Sequence, residues 1–332
     1  MAEEVWMLQT KKADFKQIGA RFRIDPVTAR IIRNRGIEGE AAIDRYLNGT
    51  LDDLYDPMLL KDMERAVSIL CEAVDTGKKI RIVGDYDIDG VCSTYILLQA
   101  FERLGSDVDF EIPDRIKDGY GINESIIEQA HADGVEVILT CDNGISAFHQ
   151  VELAKKYGMT VVITDHHEVP LDGEKEKIPP ADAVIDPKQA DCPYPFPEIC
   201  GAVVAYKLVQ VLYARRGVPQ MEWLDLLEFA AIATVGDVMK LQDENRILVK
   251  YGLKKMAQTK NLGLRRLAEK NNLDLGAITA YHIGFVIGPC LNAGGRLKTA
   301  KEALALLRAQ SEEEAERLAE ELKELNDTRK DM

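Results

Sequence analysis

Long hydrophobic runs are missing from this 332-residue sequence: none approaches the roughly 20 apolar residues that a bilayer-spanning helix needs, so no membrane span is expected. The acidic start Met1-Ala2-Glu3-Glu4 lacks the basic region that opens a secretory signal, which makes the cytoplasm the expected location. Positive charge is also in short supply, with 42 Lys and Arg against 56 Asp and Glu and a net charge of −14. That balance argues against holding nucleic acid by a broad basic face. It leaves a phosphate substrate open, because divalent cations bound among clustered acids invert the local sign. Six cysteines are scattered without a C-x-x-C pair and read as reduced core residues rather than a disulfide framework. Cys141, directly before Asp142, is either a small buried residue at a strand end or a thiol with chemistry. What is present, 46% hydrophobic and 30% charged residues, is an ordinary globular composition with chain enough for one large domain or two.

One stretch organises the rest: V-G-D-Y-D-I-D-G, residues 83 to 90. The apolar run Ile80-Arg81-Ile82-Val83 predicts a short buried strand, and Gly90 releases the chain into a helical segment from Val91 to Leu104. Asp85, Asp87 and Asp89 then leave the C-terminal tip of the strand, where open α/β sheets bind ligands. Three carboxylates so close together repel one another unless a cation compensates. The alternative is a solvated acidic turn. The design recurs in V-E-V-I-L-T-C-D-N-G (135–144), T-V-V-I-T-D-H-H-E (160–168) and A-D-A-V-I-D-P (181–187), with helical segments from Glu124 to Ala132 and from Ser146 to Tyr157 between them. Parallel strands joined in this way present their C-terminal ends on one edge. That edge gathers Asp85, Asp87, Asp89, Asp142, Asp165, His166 and His167, an oxygen and imidazole set without thiolate that suits Mn²⁺ or Mg²⁺ better than structural zinc.

Other segments carry weaker signals. Residues 1–76 read as mostly helical, and Arg30, Arg33 and Arg35 are either a nucleic-acid contact or a solvated basic face. After the strand V-D-F-E-I, the stretch P-D-R-I-K-D-G-Y-G-I (113–122) brings Asp114 and Arg115 towards the acidic edge, where Arg115 makes either a bidentate phosphate contact or a surface pair. Residues 187–200 form a proline-rich irregular excursion. A buried helix then runs into Gly236-Asp237, and Asp237 either joins the acids or simply follows a helix end. Two loops are expected, D-E-N-R at 243–246 and G-P-C-L-N-A-G-G-R-L at 288–297. The second is a glycine-rich turn able to offer Asn292 and Arg296 to phosphate. Ser311 to Asp327 predicts a charged helix whose Leu318, Leu322 and Leu325 stripe has no following element to cover it, which suggests missing sequence.

In order, the motifs resemble those of the DHH phosphoesterases, and within them the bacterial RecJ exonucleases: D-Y-D-I-D-G at 85–90, P-D-R at 113–115, D-N-G at 142–144, D-H-H at 165–167, G-A-V-V-A-Y-K at 201–207, V-G-D at 235–237, E-N-R at 244–246 and L-N-A-G-G-R at 291–296. The resemblance implies an α/β fold in which a parallel-sheet DHH catalytic domain, with helices on both faces, spans residues 77–310. A helical extension (1–76) precedes it, and a long helix (311–332) leads towards an absent second domain that closes the cleft. It implies hydrolysis of single-stranded DNA from the 5′ end to mononucleotides, in repair or recombination, with two Mn²⁺ or Mg²⁺ ions activating water and offsetting charge. Asp87, Asp89, Asp142, His166 and Asp237 are the implied metal ligands, with Asp142 bridging. Asp85 is a further ligand or a support for one. Asp165 is expected to orient His166, and His167 to contact the scissile phosphate. Asn292, Arg296 and Arg115 are the implied phosphate grips. Two departures bear on that grip, since the family usually has Arg where this chain has Cys290 and Ala where it has Gly294. Expected partners are single-stranded DNA and a single-strand-binding protein or helicase, with no membrane and a monomeric chain. The rival readings are a phosphodiesterase of short oligonucleotides or cyclic dinucleotides, and a non-catalytic scaffold with eroded ligands.

Overall fold

The computed structural model describes residues 11–114, 119 and 121–331, apart from the side chains of Arg296 and Leu297. Four helices come first: α1 (Phe15–Phe22), α2 (Pro26–Asn34), α3 (Glu40–Asn48) and α4 (Met63–Asp75). Asp25 caps α2 by accepting from the Val27 and Thr28 amides, with Pro26 at the first helical position. Arg30 lies over the Phe15 ring, 4.4 Å from its centroid, and Arg33 pairs with Glu38 at 2.8 Å. Those two basic side chains of α2 are thus engaged within the preface.

The α/β block follows as β1 (Ile80–Val83), α5 (Ile88–Arg103), β2 (Val108–Glu111), α6 (Glu124–Ala132), β3 (Val137–Cys141), α7 (Phe148–Lys156) and β4 (Thr160–Thr164). A small hairpin, β5 (Leu171–Asp172) and β6 (Lys175–Glu176), precedes β7 (Ala183–Ile185). The five-stranded sheet has the order β2-β1-β3-β4-β7, and every pairing in it is parallel. Alternation along each strand feeds two cores. Ile80, Ile82, Val137, Leu139 and Ile185 join α4, α5 and α8 (Gly201–Arg215) on one face, while Ile138, Val161, Ile163 and Val184 join α6 and α7 on the other. Arg81 is buried within β1, and its guanidinium is matched by Asp109 at 2.7 and 2.8 Å and by Asp133 at 2.8 Å.

The chain turns from β2 on one side of β1 to β3 on the other. The crevice at the C-terminal ends of β1 and β3 is therefore the topological switch point, where ligands bind in such sheets.

The remaining helices are α9 (Gln220–Leu224), α10 (Leu227–Gly236), α11 (Asp243–Met256), α12 (Leu262–Lys270), α13 (Ala280–His282), a π turn (Ile283–Ile287), α14 (Gly288–Leu297), α15 (Lys301–Arg308) and α16 (Glu312–Asp331). Three sequence expectations are corrected here. D-E-N-R is the first turn of α11, with Asp243 and Glu244 at the positive end of the helix. The glycine-rich segment 288–297 is helix α14. Its glycines serve close packing, since a Cβ on Gly295 would lie 2.3 Å from the Tyr86 carbonyl oxygen. The leucine stripe of α16 is covered: Leu318 and Leu322 are buried and Leu325 packs beside them, because α12, α14 and α15 fold back against it. No helix among the described residues is long and apolar enough to cross a membrane.

Candidate metal centre

Each acid of the first motif is placed by a backbone device. Asp87 caps α5, its Oδ1 accepting from the Asp89 and Gly90 amides at 2.9 and 3.1 Å. Asp89, in the first turn of α5 and buried, accepts from the Gly201 and Ala202 amides at 2.7 and 2.8 Å, so the N-terminus of α8 holds its charge. Asp85 is fully buried. Its Oδ1 accepts from the Gly121 amide at 3.2 Å, and its Oδ2 has no hydrogen-bond partner among the described residues.

Asp142 ends β3 in the left-handed region, at φ 60°, which a short polar side chain tolerates. A Cβ on Gly201 would lie 2.7 Å from the Asp142 Cβ, so the glycine lets α8 start against the acid. At the end of β4, Asp165 accepts from the His166 and His167 amides, from Ile145 N–H at 2.9 Å and from His167 Nδ1 at 2.7 Å. His166 directs Nε2 to Asp142 at 3.0 Å, to Asp89 at 3.3 Å and to Asp237 at 3.9 Å. Asp237, at the end of α10, thereby joins acids that leave β1 and β3.

The electrostatics follow from crowding buried carboxylates. Burial, then the charge of Asp87, pushes Asp85 up to about 7. Burial, then Asp89 and Asp87, does the same for Asp237, also to about 7. Asp142 is raised well above the carboxylate range by burial and by Asp89. Burial works upward on Asp165 too, but the hydrogen bonds and charge of His167 and the Ile145 amide outweigh it, and this carboxyl lies below its ordinary value. Burial lowers His166 more than its acidic neighbours raise it, leaving a neutral ring with a lone pair. Burial also opposes protonation of His167, yet the hydrogen bond and charge of Asp165 raise it to about 8.

Three overlapping groups of ligand atoms result, each within 4.8 Å: Asp85, Asp87 and Asp142; Asp89, His166 and Asp237; and Asp142, His166 and His167. A divalent cation fits this donor set. The ligands are oxygen and imidazole, burial and then neighbouring acids raise Asp85, Asp142 and Asp237, and buried Asp85 Oδ2 and His166 Nδ1 lack partners among the described residues.

Asp85, Asp87, Asp89, Asp142, Asp165, His166, His167 and Asp237 thus come together as the sequence anticipates. Asp165 touches His167 through its ring nitrogen and His166 only through its backbone, so the imidazole it orients is His167. Asn292 lines a cavity of about 290 Å³ with Tyr86, Asp87 and Asp237. Arg115 lies outside the described residues, as does the side chain of Arg296, whose backbone sits in α14. Cys290 does not face the cleft: it is buried, with its sulfur 3.5 Å from Asn326 Nδ2. Burial pushes the Cys141 thiol far up, which makes this cysteine a small core residue.

One acid escaped the sequence reading of the cluster. Asp186, after β7, is fully buried and raised to about 7 by burial and by Asp165. Its signal was present, since A-V-I-D ends in an acid as the other strands do.

Residues 79–234 match the model of the DHH family, N-terminal domain. The chain is 38% identical over 328 residues to the single-stranded-DNA-specific exonuclease RecJ of Bacillus subtilis (strain 168), covering 98% of this chain and 40% of that protein. Its similarity to the Haemophilus influenzae protein of the same name is also 38%, over 95% of this chain and 55% of that one. The chain spans about half the length of these curated relatives. A crystal structure of exonuclease RecJ bound to manganese superposes with a TM-score of 0.73 at 35% identity, over 82% of this chain and 67% of that one. RecJ from Thermus thermophilus in complex with Mn²⁺ gives a TM-score of 0.78 at 32% identity, over 95% of this chain and 44% of that one.

Proposed function

The chain belongs to the DHH family, in its RecJ branch, and on that premise we propose that it is the catalytic part of a metal-dependent exonuclease that removes mononucleotides from the 5′ end of single-stranded DNA. The observation that carries this reading is the set of three interlocking ligand groups at the switch point of the sheet. Residues 77–310 are the proposed catalytic unit, with 1–76 as a helical extension and 311–332 as a connecting helix.

Asp87, Asp89, Asp142, His166 and Asp237 would hold two divalent ions, with Asp85 beside them, and RecJ from Thermus thermophilus, solved in complex with Mn²⁺ and with Mg²⁺, supports either metal. Asp142 and His166 each belong to two of the three groups, and of these only the carboxylate has two oxygens to share, which supports a bridging role for Asp142. When bound, such ions supply Lewis acidity that generates a nucleophile from water and offsets charge on the phosphodiester. The protein's own groups do the rest. Asp165 fixes His167 Nδ1 at 2.7 Å and leaves Nε2 as the donor. With its pKa near 8, His167 is largely protonated at neutral pH and can donate to a phosphate oxygen. Asn292 is positioned to orient substrate, with Arg296 and Arg115 as further candidates for the phosphates.

The test is hydrolysis of 5′- and 3′-labelled single strands by this chain with Mn²⁺ or Mg²⁺, against EDTA and duplex controls. Early release of the 5′ label as a mononucleotide is the expected result. Early release of the 3′ label, or hydrolysis confined to dinucleotides, would overturn the reading. Independently, crystals soaked in Mn²⁺ should show anomalous peaks beside Asp142 roughly 3.5 to 4 Å apart.

A further inference from the structure

Arg329, near the end of α16, has no carboxylate within ion-pair distance among the described residues, although the chain carries a net charge of −14. It donates to Asn326 Oδ1 at 3.2 and 2.9 Å, and Asn326 is itself buried with its amide turned to Cys290. The guanidinium is therefore positioned but not neutralised. It lines a cavity of about 170 Å³ with Gly236, Gly284, Gly288, Pro289 and Asn292. Gly236 and Asn292 also line the neighbouring cavity that contains Asp87 and Asp237, so the two spaces share walls. The buried oxygen of Asn292 has no partner among the described residues.

Two large aromatic side chains stand out from the same helical run. Tyr281 and Phe285 are 64% and 69% exposed, and their rings stack at 4.8 Å and 27°. Phe285 sits in the π turn, a rare register frequent at functional sites. A Cβ on its neighbour Gly284 would lie 3.6 Å from Val235, which precedes Asp237 by two residues. The backbone that carries the aromatic pair thus borders the Arg329 cavity through Gly284 and Gly288, while the two rings project into solvent beside it. A guanidinium without a carboxylate partner among the described residues, and exposed rings on the adjoining surface, match the two surfaces of a single strand, its phosphates and its bases.

Resting on the nuclease reading, we propose that Arg329 and the Tyr281–Phe285 pair form a subsite for a nucleotide next to the one being cleaved. Arg329 takes its backbone phosphate, and the aromatic pair stacks its base. These are binding residues, so the readout is affinity rather than the chemical step.

The probe is a fluorescent, cleavage-resistant phosphorothioate single strand, titrated in Mn²⁺ at several salt concentrations. Arg329→Ala should bind about tenfold more weakly, with a slope of log K against log salt shallower by about 0.7, and Arg329→Lys should restore the slope. Phe285→Ala and Tyr281→Ala should each weaken binding about tenfold with the slope unchanged, because stacking releases no counterions. Calorimetric Mn²⁺ binding and thermal midpoints should stay at wild-type values throughout. Wild-type affinity in the alanine variants overturns the subsite and assigns the aromatic pair to a protein contact. So does equal loss in Arg329→Ala and Arg329→Lys with a lowered midpoint, which assigns Arg329 to folding. Wild-type hydrolysis of an ordinary strand tests the nuclease reading separately: this binding pattern without hydrolysis supports the subsite and removes that reading.

Discussion

Asp89 and His167 lie in one cluster but are held differently, and that difference predicts different failures. Asp89 is clamped by two amides of α8 and faces His166, so Asp89→Ala should abolish hydrolysis and lower Mn²⁺ occupancy. His167 commits Nδ1 to Asp165, and its replacement by alanine should abolish hydrolysis with both ions retained. Calorimetric titration separates the two; equal loss of metal binding would make His167 a ligand, as its proximity to Asp142 and His166 permits. A second residue-scale prediction lies away from the site. Burial pushes Glu228 up to about 7, although Thr259 Oγ1 donates to it at 2.7 Å. Its folded pKa exceeds the unfolded value of about 4.3, so its contribution to stability is full below that pH and is lost as pH rises towards 7. Glu228→Gln should therefore be more stable than the parent by about 1 to 3 kcal/mol at pH 8, with the gap shrinking towards pH 5. Urea melts at the two pH values check this, and a gap independent of pH would contradict it.

Among the elements, two of the motifs prove to be structural. Lys207 on α8 and Glu244 on α11 form a buried ion pair at 3.1 Å, completed by the Tyr194 hydroxyl, the Tyr55 amide at 3.3 Å and the Tyr55 carbonyl at 3.1 Å. Tyr55 belongs to the N-terminal preface, so this network pins the preface to the catalytic helices. Lys207→Met would strand a buried carboxylate and should cost about 3 to 5 kcal/mol, whereas the double variant Lys207→Met/Glu244→Gln should recover much of that loss. Denaturant melts of both chains decide it, and equal losses would show that the pair is not coupled. The strands and the acids at their tips were legible in the sequence because strand period and strand end are local signals. The helix at 288–297 was not: glycine composition argues for a turn, while its need for glycine comes from distant atoms, the carbonyls of Tyr86 and Thr299. The start of α11 had a local signal, Asp243-Glu244 in a first turn, that a loop reading passed over. Coverage of the α16 stripe depends on the return of α12, α14 and α15, which no local pattern announces.

At the scale of the whole molecule, charge and cleft oppose each other. A net charge of −14 repels a polyanion, and the acids at the switch point add to that field until cations occupy them. On the nuclease reading, attraction then rests on bound ions, His167 and Arg329, which lines the adjoining cavity. Such binding is weakened steeply by salt, because each phosphate contact contributes to the salt slope and few are available to add up. The chain also corresponds to 40% of the length of its Bacillus subtilis relative, so that protein has further sequence outside the match. With α16 packed, Leu318 and Leu322 buried and Leu325 beside them, the described residues form an extensive core. The chain should therefore bind Mn²⁺ and cleave short strands, yet degrade long strands slowly and release them after few turnovers compared with that full-length relative. Both proteins would be assayed on one labelled strand at low and moderate salt, with an unlabelled trap to reveal release. The deficit should widen as salt rises; equal, processive degradation by the two would place the whole functional cleft within these 332 residues.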